Sequence, residues 1–194
     1  LSGYYLSRTK GKFVQVLFIL VGIGLYLPYQ VVIIPLSILM ARTGLGQSYA
    51  GLILAYLILN VPLACVMLGT FFLSVPHELE EAAFVDGANR LQLFFRIVTP
   101  ISLPAYASAA IIIFTQVWNE FFLALSLASR QTQTVQVIMA EAKGTTLVLY
   151  NLQMAAALIA ISIPLLFFLV FLTFIFRRNS VMNWSAWREE YNQM

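Results

Sequence analysis

The sequence predicts an all-α, polytopic transmembrane protein, and three observations carry that prediction. The 194 residues are 61% hydrophobic and only 10% charged, with a mean hydropathy of +0.87, which is more apolar surface than a soluble core of this length can bury. Four apolar runs, at about 13–40, 49–73, 101–128 and 152–176, each exceed the roughly 20 helical residues that cross a hydrocarbon layer of about 30 Å. None alternates apolar and polar residues as a membrane barrel strand does, and lipid offers no hydrogen-bond partner to an open strand edge, so helices are the expected form.

The chain enters its first run from a basic stretch, "LSRTKGKF" (6–13). Pro28 and Pro35 in that run, Pro62 in the second and Pro164 in the fourth interrupt the spans, either as hinges and pathway backbone or as static kinks. Cys65, in the second run, is the sole cysteine and forms no internal disulfide; it reads as a small apolar packing residue. Asn60, Gln116, Asn151 and Gln153 suit either solute hydroxyls or interhelical hydrogen bonds. Glu120 lies about 24 Å along the third span, counted from Pro104 at about 1.5 Å per residue. It either lines an outer mouth or snorkels to the headgroups beside Asn119, with Trp118 as interfacial anchor.

Four spans put the N-terminal segment, the 74–100 loop and the 177–194 tail on one side. Arg8, Lys10, Lys12, Arg90, Arg96, Arg177, Arg178 and Arg188 fall there, against Arg42, Arg130 and Lys143 opposite. Eight basic residues against three make that side cytoplasmic. A formal charge of +3 distributed in this way reports topology and points to no nucleic-acid partner.

The loop on that side holds half of the chain's eight carboxylates, Glu78, Glu80, Glu81 and Asp86. Pro76 fits a first helical turn, the glutamates follow near the positive end of the helix dipole, and Gly87 suits a stop. Leu79, Ala82 and Ala83 fall on one face of that short helix. A second short helix fits 89–98, with Leu91, Phe94, Phe95 and Val98 as its apolar stripe and Pro100 as its end. An acidic, alanine-lined helix whose small side chains allow close approach reads as a docking element for another protein. Periodicity by itself favours the other reading, an ordinary amphipathic re-entry into the bilayer.

The order of residues adds something more specific. Glu81-Ala82-Ala83, three residues to Gly87, nine to Ile97 and three more to Pro100 resembles the EAA loop of permease subunits of binding-protein-dependent ABC importers, with Thr99 where that family prefers leucine. "WNEFFLAL" (118–125) and "SVPHELEEAAFVDGA" (74–88) are similar to the carbohydrate-importing branch, the relatives of the second maltose permease subunit. "YYLSRTKGKF" (4–13) resembles the basic turn before that branch's third span, which implies about two more spans ahead of this chain. The 179–194 stretch departs from the branch's glycine-rich tail.

The resemblance implies a single permease domain over 1–194 in a prokaryotic inner membrane, non-catalytic and carrying no cofactor. ATP and Mg would sit on separate ATPase subunits, docked through Glu81, Ala82, Ala83, Asp86 and Gly87. A second permease subunit would share the pathway, and an extracytoplasmic solute-binding protein, met through Asn119 and Glu120, would deliver a sugar or oligosaccharide. Related permeases carry other small solutes, which keeps that alternative open. The chain itself has no G-x-x-x-x-G-K-[ST] phosphate loop. Its lone histidine, His77, and lone cysteine make no metal set. A secondary transporter would need a relay of charges within the spans, and an intramembrane enzyme a paired nucleophile and base; the sequence offers neither.

Overall fold

The axis of the molecule is α4 (Tyr49–Ser74), 26 residues, on the order of 39 Å long at 1.5 Å per residue. A computed structural model describes the chain apart from Lys10, Leu27, 144–149 and Met194; the side chains of Ala142, Lys143, Leu152 and 174–193 also lie outside the described residues. Ser48 starts α4 by accepting the Gly51 N–H on its hydroxyl at 3.1 Å. Pro76 stops it, because a residue before proline avoids helical geometry, and Val75 is extended.

Beside the C-terminal half of α4 lies α1 (Ser2–Arg8), so close that only glycine fits. A Cβ on Gly3 would stand 2.9 Å from the Cys65 carbonyl oxygen. The Phe18 ring of α2 (Lys12–Gly24) covers Gly69 in the same way, 2.9 Å from where a Cβ would be. Cys65 therefore serves as part of a small-residue seam between helices, as its type suggests.

The first apolar run departs from expectation. It is two helices, α2 and α3 (Gln30–Arg42), of 13 residues each, about 20 Å apiece and too short to cross a bilayer alone. Pro28, which has no N–H to give, occupies the break. The other three prolines sit inside continuous helices, Pro35 in α3, Pro62 in α4 and Pro164 in α11 (Tyr150–Gln193). Only Pro28 thus interrupts a run.

The third run also breaks. Helix α8 (Leu103–Trp118) ends at Asn119, and the chain restarts as α9 (Phe122–Leu127), followed by α10 (Val135–Lys143). Among the described residues two helices are long and apolar enough to cross a membrane unaided, Tyr49–Ser74 and the Gln153–Thr173 part of α11. A third crossing is available if Arg90–Ile101 and Leu103–Trp118, bent by 73° to each other, count as one. Phe114 and Phe167, stacked at 4.0 Å with planes 16° apart, hold α11 to α8. The backbone of α11 runs on past 176; the expected tail, with Arg177, Arg178 and Arg188, has its side chains outside the described residues. The described residues contain no strand.

Two apolar cores form, one at each end of α4. At its N-terminal end Leu52 and Ala55 meet Ile33, Leu36 and Met40 of α3, Leu123, Ala124 and Leu127 of α9, and Val137 of α10. At its C-terminal end Phe72 meets Ala83, Leu93, Phe94 and Val98, with Tyr4 and Tyr106 packed around them. Between the cores the outward faces of α4 and α11 stay apolar and exposed, as at Ile53, Leu57, Leu158 and Val170, which is how lipid- or partner-facing helices look.

Candidate functional site

The C-terminal core of α4 carries the loop that the sequence singles out. Helix α5 (His77–Val85) begins at Pro76 with Glu78 and Glu80 in its first turn, where carboxylates oppose the helix dipole. It ends as the sequence predicts. Gly87 adopts φ +81, its N–H bonds to the Phe84 carbonyl at 3.0 Å, and the Ala88 N–H reaches back to Ala83 at 3.0 Å. This paired arrangement needs a left-handed residue, hence glycine. Asn89 then caps α6 (Arg90–Leu93) reciprocally with Gln92, each bond 2.9 Å. The two helices are therefore joined by a turn with little slack.

The faces of these helices differ from the periodicity reading. On α5 the buried positions are Glu80 and Ala83, while Leu79 and Ala82 are exposed. The outward stripe is Glu78, Glu81, Ala82 and Val85, at i, i+3, i+4 and i+7. The alanine pair is thus divided, Ala83 seating α5 on its own core and Ala82 facing out. After Leu93 the helix widens to a π-turn at Phe94–Val98 and tightens again as α7 (Thr99–Ile101). The extra residue per turn rotates the buried face onto Leu93, Phe94 and Val98, leaving Leu91 and Phe95 exposed. Pro100 lies within α7 and does not end the segment; the bend comes at Ser102, whose hydroxyl donates to the Val98 carbonyl at 2.7 Å.

One side chain missed by the sequence reading ties this loop down. Arg8, at the end of α1, donates from Nη2 to the Val75 carbonyl at 2.7 Å and from Nη1 to His77 Nε2 at 3.3 Å. Its Nε meets Glu80 Oε1 at 2.7 Å. Burial pushes the nearby Tyr4 hydroxyl up from its ordinary value, with the Glu80 carboxylate adding to the effect and Arg8 opposing it. Tyr4 stays neutral and packs its ring edge-on to Phe72 at 5.5 Å and against Phe94 at 5.3 Å. No local pattern pairs Arg8 with Glu80; the fold brings them together.

At the other end of α4, Glu120 faces protein. Its two carboxylate oxygens accept from the Leu123 N–H at 2.7 Å and the Ala124 N–H at 3.1 Å, which are free donors at the start of α9. The hydroxyls of Tyr56, at 3.1 Å, and Tyr29, at 3.4 Å, complete the set. One carboxylate therefore fixes the α8–α9 break to α3 and α4. Asn119 is exposed, with its amide donated to the Thr115 carbonyl of its own helix at 2.8 Å.

Residues 1–182 match the family described as "Binding-protein-dependent transport system inner membrane component". The glucose import system permease protein GlcU of Saccharolobus solfataricus is 36% identical over 169 residues, covering 85% of this chain and 58% of its own length. The sulfoquinovosyl glycerol transport system permease protein SmoH of Agrobacterium fabrum is 35% identical over 130 residues, 66% of this chain and 45% of the relative. The chain spans about half the length of such curated relatives. A solved structure of a bacterial ABC transporter involved in the import of the acidic polysaccharide alginate shares the fold, with a TM-score of 0.64 at 18% identity over 96% of this chain and 65% of that one.

Proposed function

The chain belongs to the family of binding-protein-dependent transport system inner membrane components, and on that premise we propose that it is a permease subunit of an ATP-driven importer for a sugar or oligosaccharide. Separate ATPase subunits dock on the outward stripe of α5, formed by Glu78, Glu81, Ala82 and Val85, beside Asp86 and Gly87. Their nucleotide-driven closure displaces α5, and the displacement rocks the helices that line the pathway. A second permease subunit completes that pathway, and a solute-binding protein delivers to the outer end, where Asn119 is exposed and Glu120 holds the break behind it. ATP and Mg belong to the partner subunits; this chain supplies the path and the lever.

A single observation carries the reading. Helix α5 is seated on the core through Ala83 and capped at both ends of its turn, yet leaves Leu79, Phe84 and Val85 exposed beside the exposed acidic side chains Glu78 and Glu81. A rigid helix with one seated face and one bare, mixed face is built to take a load from outside. The sugar class rests on the similarity to GlcU and SmoH, whose names report glucose and sulfoquinovosyl glycerol import.

The test is to purify the complete gene product with its partners and place a single cysteine at Ala82. Crosslinking of that cysteine to a co-purifying ATPase, together with ATP hydrolysis stimulated by a sugar-loaded binding protein, is expected. A chain that purifies alone and moves solute without ATP would refute the proposal.

A further inference from the structure

The joint between α4 and α5 is a single extended residue, Val75, followed by Pro76. Such a joint would ordinarily flex, since nothing in the backbone continues from one helix to the other. One guanidinium closes it. Arg8 holds the last carbonyl of the α4 side through Val75 and, on the α5 side, His77 and Glu80. The pair is covered, with the side chains of Arg8 and Glu80 only 10% and 12% exposed, so it is not a loose surface contact. Arg8 in turn is rooted in α1, which Gly3 keys against the backbone of α4 at Cys65 and Gly69.

We propose that Arg8 is a positioning residue for energy coupling: it locks the α4–α5 joint, so that a displacement of α5 passes into α1 and α4 instead of being absorbed by bending at Pro76. The proposal rests on the coupling reading of α5 given above. Arg8 lies on the seated side of α5 beside the buried Glu80, away from the exposed Glu81 and Ala82 face, so its loss acts on transmission and leaves docking intact. An arginine suits this place, for its rigid fork donates to a carbonyl and a ring nitrogen while the same guanidinium pairs with a carboxylate.

The experiment uses the complete importer, with its own ATPase subunits, second permease and binding protein, reconstituted in liposomes. It reads solute imported per ATP hydrolysed and the amount of ATPase retained per permease. Arg8→Met is expected to keep the ATPase at wild-type stoichiometry and to lower the import-to-hydrolysis ratio about tenfold, and Glu80→Gln to lower it by about threefold. The double variant Arg8→Met with Glu80→Gln is expected to be no worse than Arg8→Met, because each single change strands a charge that the double change removes.

An assembled Arg8→Met or Glu80→Gln importer with an unchanged ratio would overturn the proposal, as would losses that simply multiply in the double variant. Shedding of the ATPase from an otherwise assembled Arg8→Met permease would overturn it too, since Arg8 would then be a docking contact. If Arg8→Met fails to assemble, Glu80→Gln, which keeps the side chain's shape, decides. A wild-type complex that imports no solute on ATP hydrolysis would instead bring down the coupling reading on which the latch depends.

Discussion

The two ends of α4 are built alike and finish differently. Each begins with a left-handed glycine stopping a helix. Gly44 ends α3, with its N–H on Ala41 and the Leu45 N–H on Met40, just as Gly87 ends α5. Each follows with a polar cap, Ser48 or Asn89, and each spends one carboxylate on joining helices, Glu120 at one end and Glu80 at the other. At the N-terminal end all four bonds of Glu120 turn inward, and the exposed Glu141 of α10 accepts from the Gln133 amide at 2.7 Å. At the C-terminal end Glu78, Glu81 and Asp86 remain exposed after Glu80 is used. On the proposed reading, the polar groups left over once the fold is satisfied are the ones a partner meets.

The hardest way to break this comparison is to unseat α5. Ala83 is 4% exposed among Phe72, Leu93 and Phe94, so Ala83→Arg would press a charge into an apolar pocket at a cost above about 4 kcal/mol. The expected result is a large fall in the thermal unfolding midpoint of the solubilised complex and loss of transport. A midpoint near that of the wild type would mean that α5 is not held by this face.

At the opposite end Glu120→Ala would strip the acceptor from two helix-start N–H groups and two tyrosine hydroxyls. A loss of about 3 kcal/mol is expected, since the two amides keep the heavier part of the penalty and the hydroxyls find water. ATPase retention should not change, because the Glu120 contacts lie around the other core. Loss of the ATPase in Glu120→Ala would erase the proposed division of labour between the ends.

How much of this was legible in the sequence differs between backbone signals and faces. Pro76, Gly87 and the spacing of the loop announced α5 and its stop, because local chemistry decides them. The break at 119–121 stayed hidden inside a run of apolar residues, since hydropathy reports burial in lipid and not helical continuity, whereas Pro28, read with Pro35, Pro62 and Pro164 as an interruption, is the one of those four that lies in a break. The stripe expected on the second short helix was off because periodicity assumes 3.6 residues per turn, and the π-turn at Phe94–Val98 adds to that count. Arg8 was read as part of a basic flank that sets topology; its partners Val75, His77 and Glu80 are distant in sequence, and no periodic signal reaches that far.

A smaller effect comes from Gly87→Val. The residue holds φ +81 with open space around its Cβ position, so the cost is backbone strain alone, about 1–3 kcal/mol for a branched side chain. Gly87→Asn should recover much of it, since asparagine tolerates the left-handed region. If both variants coupled ATP to transport normally, the fixed angle between α5 and α6 would be irrelevant to function.

The smallest effect on stability should accompany a clear effect on function, and that separation is the sharpest form of the comparison. Glu81 is exposed on α5 and makes no hydrogen bond or ion pair among the described residues, so Glu81→Ala should move the unfolding midpoint by no more than about 0.5 kcal/mol equivalent. Glu80→Ala, one residue earlier, removes the partner of Arg8 and should be the more destabilising of the two by about 2 kcal/mol, the penalty of stranding a covered charge discounted for its residual exposure. Function should divide differently, with Glu81→Ala weakening ATPase retention on washing and Glu80→Ala retaining the ATPase. A Glu81→Ala complex as tightly bound as the wild type would show that the leftover carboxylates are only a solvated face, and the docking stripe would then have to rest on Ala82 and Val85 alone.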